Sequence, residues 1–600
     1  MTGISSHIQG SASASVWQAP TQAPTSLLGQ LKGLFVAPDS DATHVQAAKQ
    51  SFEQYFMQET SALANMMGPK GIEHFAGDVQ ARFESIVQRT FDALPRKDDG
   101  SVGGKDFASA MKKAGTQAAM ALDRLKVDAA RNELLSNLGP ADTSPQIIRH
   151  DYKDEANNDK TKYVVIRPAP QLENLVLRGG GAKGIGYSAA LDQMEKSGMM
   201  AGIKHLAGSS AGALTATCLA CGLSASEFEN GPADALFRPG VLDALKGGGD
   251  LARLYPDLKM EGGLAPAVAS LKVVDQTSAN SVSAFLNSNW NDGAFQARLQ
   301  QLDPVVQVRL DQLRQPQNFD ENRQGKMITF GDLKSLHELA PEKFKMLTLT
   351  GWNKTDQEEM YFDARTKPDM PVAYAARMSM AFPIAFKAVS IGMGDDKKVF
   401  ADGGIGSNMP SEVFMKPSDA NNQPQRLDQA TKAETQARTL LLTFDENGKG
   451  YQIMHGGKPE AKPQGVLDKV KAFFVNLITS HPDQAGANLK DQKKVWNAGP
   501  NALPVFHGEI STLTSNISDQ TQHQAHMLSA WKALEQIDAR TQQAYSMECG
   551  SLDEVAGMLA PDEKQALRSL PSPDALQREL LAVLDRLGDG AAPPPMMMRV

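Results

Sequence analysis

Cysteine is nearly absent from this chain. Of 600 residues only Cys218, Cys221 and Cys549 carry a thiol, which excludes a disulfide framework and points to folding in a reducing compartment. Cys218 and Cys221 form a C-x-x-C inside an apolar segment, but with no second pair nearby they read as core residues and not as a metal or redox site. No stretch approaches the roughly 18 apolar residues of a membrane span. The N-terminus lacks the basic-then-apolar pattern of a cleaved signal peptide. Positive charge is also short: 61 Lys and Arg stand against 69 Asp and Glu, a net charge of -8. That balance argues against nucleic acid as a partner, which would need a basic face. No EF-hand loop occurs. What remains is a chain with 41% hydrophobic residues, ample for globular cores, and a length that suits two to four domains.

The most informative stretch runs from Asn174 to Leu223. An apolar run, Leu175-Val176-Leu177, leads into Arg178-Gly179-Gly180-Gly181-Ala182-Lys183-Gly184; a helical pattern follows, and a second strand near Ile203 to Ala207 ends in Gly208-Ser209-Ser210-Ala211-Gly212. Gly179, Gly181 and Gly184 satisfy G-x-G-x-x-G between strand and helix, the setting of a dinucleotide fingerprint. A nucleotide site, however, wants an acidic residue at the end of the second strand to hold the ribose. Here that position carries G-x-S-x-G, the nucleophile elbow, in its strand-to-helix setting.

The two motifs together point to a serine acyl hydrolase. Ser210 would be the nucleophile, Gly208 and Gly212 the small residues its sharp turn needs, and the buried helix behind it would aim free amides at developing negative charge. The loop residues Gly179, Gly180, Gly181, Ala182, Lys183 and Gly184 would then supply oxyanion-hole amides in place of a phosphate cradle. Lys183 reads either as a local positive charge for that site or as a solvated loop lysine. A serine hydroxyl needs a base. His337, His455, His481 and His507 lie downstream without a setting that singles one out, and His205 reads as a packing residue. Asp402, after a short apolar strand and before Gly403-Gly404, is the better candidate, although a lone D-G-G is more often a turn.

The rest of the chain divides by composition. Residues 1–42 are rich in Ser, Ala, Gln, Thr and Pro and read as a disordered tail. Over 43–138 apolar residues such as Phe52, Tyr55, Phe56, Phe75, Val79 and Phe83 recur at helical spacing, predicting three amphipathic helices that form a bundle or a surface completed by a partner. Residues 139–170 read as a linker. Residues 171–535 alternate strands with helices, with strands predicted at Met346 to Thr350, Glu359 to Asp363, Phe386 to Ile391, Lys398 to Ala401 and Arg438 to Phe444. Within that span 230–325 reads as a cap insertion. Between Lys462 and Ile478, Val466, Leu467, Val470, Phe473, Phe474 and Leu477 line one helical face, either packed on the core or entering lipid headgroups. The last part, 536–600, reads as short helices ending in a Pro- and Met-rich tail.

The glycine loop, the elbow and Asp402-Gly403-Gly404 resemble, in order and wording, the patatin-like phospholipases. The segment from Ala375 to Pro383 is similar to the helix preceding that family's aspartate. The long N-terminal region, Gly208 to Gly212 and Thr329-Phe330-Gly331-Asp332-Leu333 are most similar to the ExoU-type bacterial secreted effectors, over roughly Asn174 to Trp531. The resemblance implies an α/β fold: a patatin-like three-layer core with a mixed sheet, preceded by an α-helical N-terminal region and followed by a short helical C-terminus. It implies a Ser210–Asp402 dyad with no histidine, acting as a calcium-independent phospholipase A2 or lysophospholipase on membrane phospholipids. It also implies export through a type III route by the uncleaved tail, a secretion chaperone on the N-terminal region, activation by host ubiquitin, a phosphoinositide-bearing membrane target, and virulence through action in the host cytoplasm and at its membranes. Two further readings stay open: a non-catalytic patatin-shaped binder of host membrane proteins, and a lipid acyltransferase, which would use the same residues.

Overall fold

The computed structural model describes residues 39–40, 42–64, 69–137, 146–153, 157–233, 236, 268–315, 327–383, 386–392, 396–415, 429–444, 481–507, 510, 517–542, 544–559 and 561–588. Three helices come first, α1 (Ala42–Ala64), α2 (Pro69–Val87) and α3 (Gly104–Asn137). Their apolar faces bury Phe52, Phe56, Phe75, Phe91, Met111 and Leu125 in one cluster. Within it the rings of Phe52, Phe56, Phe83 and Phe91 lie 5.7–6.0 Å apart, contacts that add to the burial of large apolar surface.

The segment expected to be a linker instead holds two strands, β1 (Gln146–Lys153) and β2 (Asp159–Pro168). β2 pairs antiparallel with β1 and, on its other edge, with a strand from the far end of the chain. Residues 146–153 are almost wholly exposed on both faces, so they show no apolar alternation to betray a strand.

The central sheet is built from β3 (Asn174–Leu177), β4 (His205–Gly208), β5 (Met346–Asn353), β6 (Glu358–Phe362), β7 (Val389–Ile391), β8 (Lys398–Ala401), β9 (Thr439–Phe444) and β10 (Ala502–Val505). Its order is β10-β9-β3-β4-β5-β8-β7, with β6 also paired to β5. The five strands from β10 to β5 are parallel, and β6, β8 and β7 join antiparallel. Parallel strands covered on both faces read as unbroken apolar runs. Alternate residues divide accordingly: Leu175, Leu177, Leu206, Leu440 and Leu442 face one cluster, whereas Val176, Ala207 and Leu441 face the other with Met409, Val495 and Ala498.

Helices close both faces. α4 (Tyr187–Lys196), α5 (Ala211–Ala220), α6 (Val268–Asn289), α7 (Val372–Ser379) and α9 (Asp519–Gln542) accompany the first cluster, and α8 (Gln484–Ala498) the second. The result is a mixed α/β core of three layers. α6, from the predicted cap, packs against α5 and α7; residues 234–235, 237–267 and 316–325 of that insertion lie outside the described residues. So do most of the N-terminal tail, the Lys462 to Ile478 segment and the Met-rich end.

α9 runs without interruption past residue 535, where the catalytic region was expected to end, and leads to β11 (Ala544–Cys549), the second partner of β2. Tyr163 and Val165 of β2 pack with Val555, Leu567, Leu580 and Leu584 of the terminal helices. Among the described residues no helix is long and apolar enough to cross a membrane.

Candidate active site

In the parallel part of the sheet, Leu177 pairs with Gly208 and Gly208 with Leu349, so the turns after β3 and β4 leave the same sheet edge. β8 returns antiparallel, with Ala401 opposite Trp352. The turn after β8 therefore lies over Thr350, one residue beyond the partner of Gly208. Strand ends are where such folds gather reactive groups.

Ser210 occupies φ 52°, ψ -120°, a region that costs a non-glycine residue about 1–3 kcal/mol. The elbow is held there by close packing: a Cβ at Gly212 would lie 2.1 Å from the Leu177 carbonyl oxygen. The Ser210 N–H donates to Ser379 Oγ at 2.9 Å. Behind it α5 is wholly buried. Ala213 and Leu214 N–H both donate to the Ser210 carbonyl, so the Ala211 and Gly212 amides precede the first intrahelical bond, at the positive end of the helix.

Ser210 Oγ donates to Asp402 Oδ2 at 2.7 Å. The other carboxylate oxygen accepts the Gly404 N–H at 2.8 Å, and the Asp402 N–H is tied to the Ala381 carbonyl at 3.0 Å. Asp402 is 4% exposed. Burial pushes its pKa up to about 7, against the opposing hydrogen bonds from Ser210 and Gly404. A carboxylate poised near neutrality suits proton transfer in both directions.

The glycine loop lies against Ser210: a Cβ on Gly179 would stand 2.9 Å from Ser210 Cβ. Of the six loop residues singled out in the sequence, two have engaged amides. The Gly179 N–H donates to the Asn408 carbonyl at 3.2 Å and the Lys183 N–H to the Gly180 carbonyl at 3.3 Å. Gly184 lies inside the 3-10 turn Gly181–Gly186. The set of available donors thus narrows to Gly180, Gly181 and Ala182, whose N–H groups donate to no group among the described residues. Lys183 is buried, which corrects its reading as a solvated loop lysine.

No histidine among the described residues bonds Ser210 or Asp402. His205, whose pKa is lowered by burial and by nearby His337, sits 6.5 Å from the His337 ring. His337 Nδ1 meets the Phe344 carbonyl at 2.8 Å, His481 lies tilted against Trp352 with ring centroids 4.6 Å apart, and His507 lies beside Phe444. His455 is outside the described residues.

Three supporting groups escaped the sequence reading. Ser379 was the one hydroxyl in the apolar segment ahead of Asp402, the only signal it gave. Asn408 clamps the two turns together, its Nδ2 donating to the Gly179 carbonyl at 3.0 Å. Its own N–H donates to Asp491 Oδ2 at 2.7 Å, and Asp491 is paired with Lys494, which also holds Ser407 Oγ and Glu412. Asp491 and Lys494 lie on α8, more than 80 residues away in sequence, where nothing local marks them.

A family model for patatin-like phospholipases matches residues 175–415, a span that includes the glycine loop, the elbow and Asp402. Among solved structures the chain is similar to VipD from Legionella pneumophila, with 17% identity over 75% of this chain and 79% of that one, TM-score 0.37. It is similar to ExoU from Pseudomonas aeruginosa in complex with SpcU, with 18% identity over 76% and 77% of the two chains, TM-score 0.39. Human GIVD cytosolic phospholipase A2 gives 10% identity over 67% and 70%, TM-score 0.24. No curated protein sequence matches significantly. At such scores the weight rests on the family match.

Proposed function

We propose that this chain, whose residues 175–415 match the family model of the patatin-like phospholipases, is a phospholipase A-type acyl hydrolase with a Ser210–Asp402 dyad. The observation that carries this reading is the 2.7 Å hydrogen bond from Ser210 Oγ to the buried Asp402 carboxylate, whose pKa burial pushes up to about 7. Asp402 takes the Ser210 proton as Oγ attacks the ester carbonyl of a phospholipid. The resulting oxyanion is held by the Gly180, Gly181 and Ala182 amides and by the start of α5. Asp402 then returns the proton to the departing lysophospholipid oxygen, leaving an acyl-Ser210 ester. Water, deprotonated by the same carboxylate, releases the fatty acid and restores the serine. No step calls for a metal ion.

The ExoU-type resemblance of the sequence extends the proposal to the setting: a cytotoxic bacterial effector, exported with a chaperone on its N-terminal region. It would be activated by ubiquitin and act on phosphoinositide-bearing host membranes.

The test measures fatty acid release from phospholipid vesicles together with fluorophosphonate labelling of Ser210. Ser210→Ala and Asp402→Asn should each lower release at least about 1000-fold with the fold intact by thermal melt. An intact wild type that neither takes up the probe at Ser210 nor releases fatty acid, with and without ubiquitin and inositol lipids, would leave a non-catalytic membrane-protein binder as the reading.

A further inference from the structure

The 3-10 turn Gly181–Gly186 that bears the free amides is held from behind by a side chain far outside the patatin-like domain. His526, on α9, is 2% exposed. Its Nε2 lies 3.0 Å from the carbonyl oxygen of Ile185 in that turn and 3.4 Å from Ser188 Oγ at the start of α4. Its Nδ1 lies 3.0 Å from Arg124 NH2 on α3, in the N-terminal helical bundle. Arg124 is itself paired with Glu229 at 2.7 Å, and Glu229 approaches His526 Nδ1 at 3.3 Å.

These partners assign the ring. Nδ1 has a donor, the Arg124 guanidinium, at 3.0 Å and an acceptor, the Glu229 carboxylate, at 3.3 Å; with the nearer group only donating and the Ile185 carbonyl only accepting, Nδ1 takes a hydrogen bond from Arg124 and Nε2–H gives one to Ile185. We infer that His526 is a positioning residue for the oxyanion turn and that Arg124 keeps it in the Nε2–H form, making the N-terminal bundle a working part of the catalytic site. This rests on the hydrolase reading above. Loss of the Nε2–H bond leaves the Ile185 carbonyl without that donor and frees a turn whose amides must meet a developing charge; a misplacement of about 1 Å at such a site can cost about 100-fold in rate. If Arg124 is lost, the Glu229 carboxylate becomes the stronger neighbour of Nδ1 and draws a proton onto it.

Three variants and two readouts test the chain of contacts. His526→Phe keeps an aromatic ring and removes the donor; His526→Gln keeps a donor that can reach Ile185. The Phe variant should lower both kcat for fatty acid release and the rate of fluorophosphonate capture at Ser210 by about tenfold or more, with KM unchanged. The Gln variant should recover most of that loss. Equal rates for a folded Phe variant and wild type, or a Gln variant no better than Phe, would overturn the positioning role. Should the Phe variant fail to fold, the His526 15N shifts of the wild-type protein decide, assigned by the signal missing in the Gln variant. Bare Nδ1 with protonated Nε2 is expected, and a protonated Nδ1 overturns the assignment. In Arg124→Met the same signal should report proton gain at Nδ1; an unchanged spectrum removes the bundle from the proposal. A wild type that captures no probe at Ser210 fails the hydrolase reading itself, whereas normal capture with an indifferent His526→Phe fails this inference alone.

Discussion

Two aspartates are buried almost equally in this molecule and behave in opposite ways. Asp402 is 4% exposed and Asp128 fully buried. Among the described residues Asp402 has two hydrogen-bond donors at its carboxylate, Ser210 Oγ and the Gly404 amide, and no ion pair, so burial dominates and its pKa rises to about 7. Asp128 suffers the same desolvation but is met by Arg82, Lys196 and Arg131, which hold its carboxyl well below the usual range. Its partners come from α2, α3 and α4, so Asp128 joins the N-terminal bundle to the catalytic core. The absence of compensating charge around a buried carboxylate leaves it basic enough to move a proton, whereas its presence turns the same group into a fastener.

The sharpest way to break the comparison is to remove the caged carboxylate. Truncating one partner of a buried, hydrogen-bonded ion pair strands the other charges and costs about 3–5 kcal/mol. Asp128→Ala should therefore lower stability by that order in a denaturant melt, while the molecules that remain folded still take up fluorophosphonate at Ser210. A melt unchanged from wild type would mean that Arg82 and Arg131 find other anions, with Asp78 and Asp192 nearest to hand.

The lonely carboxylate predicts the reverse sign. Between its unfolded pKa, near 3.8, and its folded value, about 7, the folded state binds more protons than the unfolded state, so stability falls as pH rises through that window. Asp402→Asn cannot titrate. Its unfolding free energy, from denaturant melts, should pull ahead of wild type as pH climbs from about 4 and level off above about 7, by at most about 4 kcal/mol. Over the same range wild-type kcat/KM should rise as Asp402 ionises. For Asp128, whose folded pKa is depressed, stabilisation is complete above the unfolded value and is lost as pH falls below it, so acid loosens the joint between bundle and core. A flat difference between wild type and Asp402→Asn across pH 4–8 would place the folded pKa of Asp402 at its ordinary value.

This contrast also explains what could be read from the sequence alone. β3, β4 and β9 were legible because strands buried on both faces must be apolar throughout, and the turns carrying Ser210 and Asp402 because close backbone approach leaves room only for glycine around them. The pairing of Tyr163 with Cys549, the Asp128 cage and the His526–Ile185 bond were not, since each joins residues that carry no local periodicity and lie tens to hundreds of positions apart. The predicted strand from Phe386 shrinks to Val389–Ile391 at the sheet edge, where few neighbours exist to extend it. Polar support is the hardest class to foresee, because a serine or an asparagine gains its role only from what folds against it.

Ser379 is the smallest such support and the finest test of the site. Its Oγ accepts the Ser210 N–H at 2.9 Å and lies 3.5 Å from Thr350 Oγ1, with both residues buried. Replacing it by alanine leaves the Ser210 amide unsatisfied, a cost of about 1–3 kcal/mol, at a residue already in a strained conformation. Part of that cost should appear as lost stability and part as a relaxed elbow, lowering kcat about tenfold with KM unchanged. The division matters: a loss confined to the melt would mean that the packing of Gly208 and Gly212 alone fixes the nucleophile. A loss in kcat at constant Asp402 pKa, read from the pH profile, would instead show that the serine's backbone and the base are held independently. The lone carboxylate then sets the proton's energy, and the hydroxyl of Ser379 sets where the attacking oxygen stands.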